Sequence, residues 1–96
     1  MANSSGVGPT PGGVRGVFSL TGATVVKSTK GVLFRVSVLV AGSTTGTAYD
    51  FNSTTSPINA IGVIPNTVGV YEFIWPCLTG IVIVPGTGQT VSVSYE

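Results

Sequence analysis

The stretch "VLFRVSVLV", residues 32–40, is apolar at every second position. Val32, Phe34, Val36, Val38 and Val40 fall on one side of an extended chain, and Leu33, Arg35, Ser37 and Leu39 on the other. A period of two is the pleat of a β-strand, in which successive side chains point to opposite faces; an amphipathic helix spaces its apolar residues by three and four. Four valines strengthen the reading, because a β-branched side chain is stiff in a helix and packs well on a pleated surface. The expectation is a long strand with one fully apolar side.

The same period extends outward in both directions. In "VYEFIW" (70–75), Tyr71, Phe73 and Trp75 alternate with Val70, Glu72 and Ile74, and since both sides are largely apolar this strand is expected at the centre of a sheet. "IVIV" (81–84) reads as a short strand apolar on both sides, and "VSVSYE" (91–96) as a strand with Val91, Val93 and Tyr95 inward and Ser92, Ser94 and Glu96 outward. Further strands are expected at 17–20, 23–28, 47–51 and 58–64. No window carries helical spacing, and glycine or proline interrupts the chain at short intervals. "GSTTG", "NSTTSP", "PNTVG" and "PGTGQ" supply the residues that chain reversals require. The expected fold class is all-β: an antiparallel β-sandwich, jelly-roll-like, or a small barrel, of about seven or eight strands.

One of those turns invites a different reading. "PGTGQT" (85–90) ends like a phosphate-binding loop, but Gln89 stands where that loop has lysine, Ile83 stands where its first glycine belongs, and the residues after it carry a strand pattern instead of a helix. It is therefore read as a hairpin turn.

Residues 1–16 are rich in Gly, Pro, Ser and Asn and nearly devoid of large apolar side chains, so they are expected to form an extended N-terminal arm ahead of a β-domain at 17–96. At 96 residues the chain makes one domain at most. Its charged content is 7%, against about 25% in an ordinary soluble domain. A surface with so little charge is Ser, Thr, Gly and Asn, or is covered by partner subunits. Arg15, Lys27, Lys30 and Arg35 form no dense basic run, which argues against direct nucleic-acid binding. No secretory or membrane-spanning run is visible, so a soluble protein without a membrane partner is expected. Cys77, the single cysteine, cannot form an internal disulfide and reads as a small buried hydrophobe.

Candidate chemistry is sparse. Histidine is absent, removing the commonest general base and metal ligand. Asp50 and Glu72 as a hydrolase pair is outweighed by a turn-forming Asp50 and a solvent-facing Glu72. Asp50 and Asn52 are spaced as in calcium loops, but the further acidic ligands are missing, so no catalytic, cofactor or metal site is expected. Tyr49, Tyr71, Trp75 and Tyr95 are candidate glycan-stacking or interface aromatics, with Asn52, Asn59 and Asp50 as hydrogen-bonding partners; packing in a core or subunit interface is the stronger reading. Long apolar strands with few charges need covered edges, and neither "IVIV" nor "VLFRVSVLV" has the proline or lysine of natural edges, which favours a closed homo-oligomer.

"RVSVLVAGSTTGTAYDFNS" followed by "IGVIPNTVGVYEFIWPCLTGIVIVPGTGQTVSVSYE" resembles a group of short β-rich proteins encoded among the virion genes of tailed bacteriophages, of head decoration, cement or head-fibre type. The likeness covers about residues 31–96, and "VAGSTTGTAYD" and "GIVIVPGTGQTVSVSYE" are its most distinctive pieces. It implies a non-enzymatic structural protein on the capsid surface of the virion, a homo-oligomer, commonly a trimer, bound to the major capsid protein. It also implies that the arm, with Asn3, Val7, Pro9, Pro11, Val14 and Arg15, is the attachment element. The alternative is a tail-associated fibre or receptor-binding module whose aromatics contact host glycan.

Overall fold

The computed structural model describes residues 15–96. Eight strands follow one another: β1 (Arg15–Leu20), β2 (Thr24–Lys27), β3 (Gly31–Val40), β4 (Gly46–Tyr49), β5 (Ala60–Ile64), β6 (Gly69–Cys77), β7 (Ile81–Val84) and β8 (Thr90–Tyr95). Their pairing has a simple rule. β4 lies antiparallel to β5, β3 to β6, β2 to β7 and β1 to β8. The chain thus doubles back at the β4–β5 connection, and each outgoing strand meets its returning counterpart.

This doubled ribbon is wound into two layers. β3 also pairs with β8, joining the 1/8 and 3/6 pairs into a four-stranded sheet of order β1-β8-β3-β6. β4 also pairs with β7, giving a second four-stranded sheet of order β2-β7-β4-β5. The two antiparallel sheets pack face to face as an eight-stranded jelly-roll sandwich and do not close into a barrel.

The core lies between them. Leu33, Val36, Val38, Val91 and Val93 come from the first sheet, Ala48, Ile64, Ile81 and Ile83 from the second, with Cys77 at the end of β6. Burying these side chains contributes roughly 1.5–3 kcal/mol for each large one, the main term holding the layers together. Phe73 on β6 reaches across to Gly62 on β5, where a Cβ would stand only 2.7 Å from the ring. Glycine at that position admits the aromatic that joins the two sheets along this side.

Several expectations are corrected. The single apolar face of 32–40 is broken by a bulge: Leu33 and Arg35 on β3 lie opposite consecutive residues, Tyr95 and Ser94, on β8. One extra residue on β3 shifts the alternation, so Leu33 points inward before the bulge and Val36 and Val38 after it. Val40, beyond a second irregularity, is exposed. β6 is an edge strand and not a central one. Its second apolar side is exposed at Val70 and Ile74, a distinction that hydrophobic patterning does not make. Glu72, Pro76 and a bulge at Ile74 blunt that edge, while β3 and β7, which lack proline, are interior strands. "PGTGQ" crosses from β7 in one sheet to β8 in the other, so it is no hairpin turn. Arg15 and Gly16 belong to β1, paired with Tyr95 and Ser94, so the β-domain starts two residues before the expected boundary. The other expected arm residues, Asn3, Val7, Pro9, Pro11 and Val14, lie outside the described residues.

Candidate functional site

Alternating strand direction gathers the β3–β4, β5–β6 and β7–β8 connections at one end of the sandwich, and side chains stitch them together. Gln89 is fully buried there. Its Oε1 accepts from the Gly86 N–H at 3.0 Å, and its Nε2 donates to the Pro65 carbonyl at 2.9 Å. Asn66 Oδ1 accepts from the Gly42 N–H at 2.6 Å, and Thr44 Oγ1 accepts from the Thr87 N–H at 2.8 Å. Close approach of these loops leaves no room at Gly46, where a Cβ would lie 2.7 Å from the Val84 carbonyl oxygen and 2.8 Å from Gln89 Oε1. The residue at the lysine position of a degenerate phosphate-loop pattern is thus an internal cross-link between connections. The signal that could have found it is a lone long amide set directly before an alternating strand, since burial of such a group demands partners on both ends of the amide.

Asp50 organises the opposite end. Its Oδ1 accepts from the Thr79 N–H at 2.8 Å and the Gly80 N–H at 3.3 Å, and its Oδ2 from the Leu78 N–H at 3.0 Å. Partial burial alone would push this carboxyl up, but the three backbone donors together outweigh it and hold the group below its ordinary value. The turn Asp50 forms is therefore the distant β6–β7 connection, held from the end of β4. Asn59 joins it: the Asp50 N–H donates to the Asn59 carbonyl at 2.9 Å, and Asn59 Nδ2 donates to the Asp50 carbonyl at 3.3 Å. Asn52 is exposed on the β4–β5 connection, between Asp50 and Asn59. Cys77 lies nearby, 2% exposed. Burial, reinforced by the negative charge of Asp50, pushes its thiol up to about 11, so at neutral pH it is a protonated, unreactive core group.

Glu72 faces solvent and pairs with Arg35, Nη2 to Oε2 at 3.1 Å. It sits on β6 while Asp50 follows β4 in the other sheet, with its carboxylate engaged by backbone. No group of three or more potential metal-ligating side chains occurs among the described residues. No helix among them is long and apolar enough to cross a membrane.

The four aromatics are not brought to one place. Tyr49 is on β4 in the second sheet, Tyr71 and Trp75 are on β6, and Tyr95 is on β8. Tyr71 and Tyr95 pack against the core, and the Tyr71 hydroxyl donates to the Thr67 carbonyl at 2.7 Å. Trp75 is 45% exposed.

Cavities indent the surface of the described residues, and two of them are large enough for a small ligand. One, of about 320 Å³, lies beside Lys27, Lys30, Pro76, Leu78 and Glu96. The other, of about 360 Å³, crosses the outer face of the β1-β8-β3-β6 sheet between Arg15, Phe18, Arg35 and Val70. None of the four sequence-identified aromatics lines either one.

Fold and surface together define a class: an eight-stranded jelly-roll domain with few charges and apolar side chains standing on its outer faces and edges. No family model matches the chain, and no curated protein or solved structure is detectably similar to it.

Proposed function

We propose that this protein is a non-enzymatic structural component of a tailed-bacteriophage virion, decorating or cementing the capsid surface as a homo-oligomer and, by likeness to the group it resembles, as a trimer. The observation that carries the reading is the outer surface of edge strand β6 and its neighbours. Val68, Val70, Ile74 and Trp75 stand exposed there, on a chain with only seven Lys, Arg, Asp and Glu side chains. The backbone edge of β6 is blunted, but these outward apolar side chains are best covered by a neighbouring subunit or by the major capsid protein. The resemblance over residues 31–96 points the same way. The mechanism is multivalent: many weak contacts, repeated by symmetry, resist the outward pressure of packaged DNA.

The test is quantitative mass spectrometry of purified virions, with copy number scaled to the major capsid protein, followed by capsid binding of a chain lacking residues 1–14. The truncation stops there because Arg15 already belongs to β1. A ratio commensurate with the capsid lattice, and a folded truncated oligomer that no longer binds, are expected; absence from virions overturns the reading. Half-exposed Trp75 favours a second reading, a tail-associated glycan-binding module. A few copies per virion and a positive glycan array would select it.

A further inference from the structure

Strand register builds the 360 Å³ trough on the outer face of the β1-β8-β3-β6 sheet. Gly16, Ser94 and Arg35 are cross-strand neighbours on β1, β8 and β3. Ser92, Ser37 and Val70 form the adjacent row on β8, β3 and β6. The floor is thus glycine and three serines, while Phe18, 78% exposed, and Val70, 64% exposed, stand beside it as apolar walls.

Charge on the trough is one-sided. Arg15 and Arg35 line it, and none of Asp50, Glu72 and Glu96 does. Arg35 gives one guanidinium nitrogen to Glu72 at 3.1 Å, outside the trough, and Arg15 makes no ion pair among the described residues. One hydroxyl is also unaccounted for. Ser92 Oγ accepts from the Ser19 N–H at 3.2 Å, but Ser94 Oγ, on the floor beside Arg35, is shielded from solvent and has no hydrogen-bond partner. A serine hydroxyl changes rotamer at little cost, so turning Ser94 toward the trough would give its unpaired oxygen a ligand group as partner.

We propose that the trough binds an acidic monosaccharide unit of the uronic-acid type. Its carboxylate meets the guanidinium groups of Arg35 and Arg15, whose planar fork matches a carboxylate. A ring hydroxyl pairs with Ser94, and the C–H face of the ring lies on Phe18. A sugar ring combines an apolar face with a hydroxylated rim, as the walls and floor require, and the volume is at the small end of the roughly 300–1,000 Å³ range of ligand sites, enough for one ring. The trough shares Val70 with the apolar β6 surface of the capsid reading and Arg15 with the expected arm, but Arg35 and Ser94 belong to neither, so glucuronate titration of the isolated chain and copy number in virions can fail separately.

The test is calorimetric and amide-NMR titration of the full chain with D-glucuronate, against D-glucose and inorganic sulfate. Glucuronate is expected to bind in about the millimolar range and to shift the Gly16, Arg35, Ser92 and Ser94 amides, with D-glucose and sulfate much weaker. Arg35→Gln and, independently, Arg15→Gln should each weaken binding about tenfold; both side chains are on the surface, and an unchanged amide spectrum verifies the fold. Glu72→Gln, by releasing Arg35, should tighten binding a few-fold. Equal binding of glucose removes the role of the arginines, and equal binding of sulfate with the same shifts reduces the trough to a general anion site. Either result overturns the proposal, as does unchanged affinity in both arginine variants.

Discussion

The side-chain amide of Gln89 joins the Gly86 N–H to the Pro65 carbonyl, tying the β7–β8 crossover to the end of β5. Both bonds are sequestered from water at a fully buried residue. Gln89→Leu keeps the bulk and strands a buried donor and a buried acceptor, so it should cost about 2–4 kcal/mol. Gln89→Glu retains the acceptor for Gly86 but turns a carboxylate oxygen toward a carbonyl, so it too should destabilise at neutral pH and recover in part on acidification. Urea denaturation of the two variants against the parent checks both statements.

Asp50→Asn removes a charge-assisted acceptor from the three consecutive N–H groups of Leu78, Thr79 and Gly80. Partial solvent access keeps the expected loss near about 1 kcal/mol. The pH dependence has a definite sign. A carboxyl held below its unfolded value stabilises the fold above that value, and this contribution is lost as pH falls through the folded one. Thermal melts of the parent should therefore fall below about pH 4, with a shallower acid limb in Asp50→Asn.

Cys77 should resist thiol reagents in the native protein and react on unfolding. Its value of about 11 lies above the ordinary 9.0, so the buried neutral thiol favours the folded state below pH 9.0 and that advantage is lost as pH rises toward 11. Labelling with an aromatic disulfide reagent at pH 8, with and without denaturant, is the direct measurement; fast native labelling would contradict the burial.

Ile74 sits in the β6 bulge with φ of 48°, left-handed backbone that a β-branched residue adopts at a cost. Its side chain is exposed and contributes little packing. Ile74→Gly should therefore stabilise the protein by about 1 kcal/mol, against the usual destabilising effect of glycine in a strand. A raised urea midpoint with unchanged slope is the expected readout.

Apolar patterning located the strands, by period-two alternation where one face is buried and by an unbroken apolar run at "IVIV", where Ile81, Val82 and Ile83 are all buried. It located the layers less well. "VYEFIW" is apolar on both sides whether its outer side is packed or exposed, and only the pairing of β6 with β3 alone reveals an edge. Bulges were equally hidden: nothing in "VLFRVSVLV" marks Phe34 as the point where the alternation changes phase, since that depends on residues far along the chain. Asp50 read as a local turn residue because local and long-range carboxylate caps look alike in one dimension, and its partners are some thirty positions away. The trough was illegible for the same reason. Ser94, Arg35 and Gly16 become neighbours only when β8 settles between β1 and β3.

The pairing of β1 with β8 also sets an order of events during synthesis. β4 and β5 are neighbours in sequence and can form their hairpin as they leave the ribosome, but β1 has no partner in its sheet other than β8, the last of the eight strands to be made. Translation must pass Tyr95 before the first strand is held, so the nascent chain carries Val17, Phe18 and Leu20 unpaired until then. A ribosome stalled within β8 would thus hold a product with an open sheet and its apolar first strand unsheltered, a form suited to capture by chaperones and to clumping in their absence.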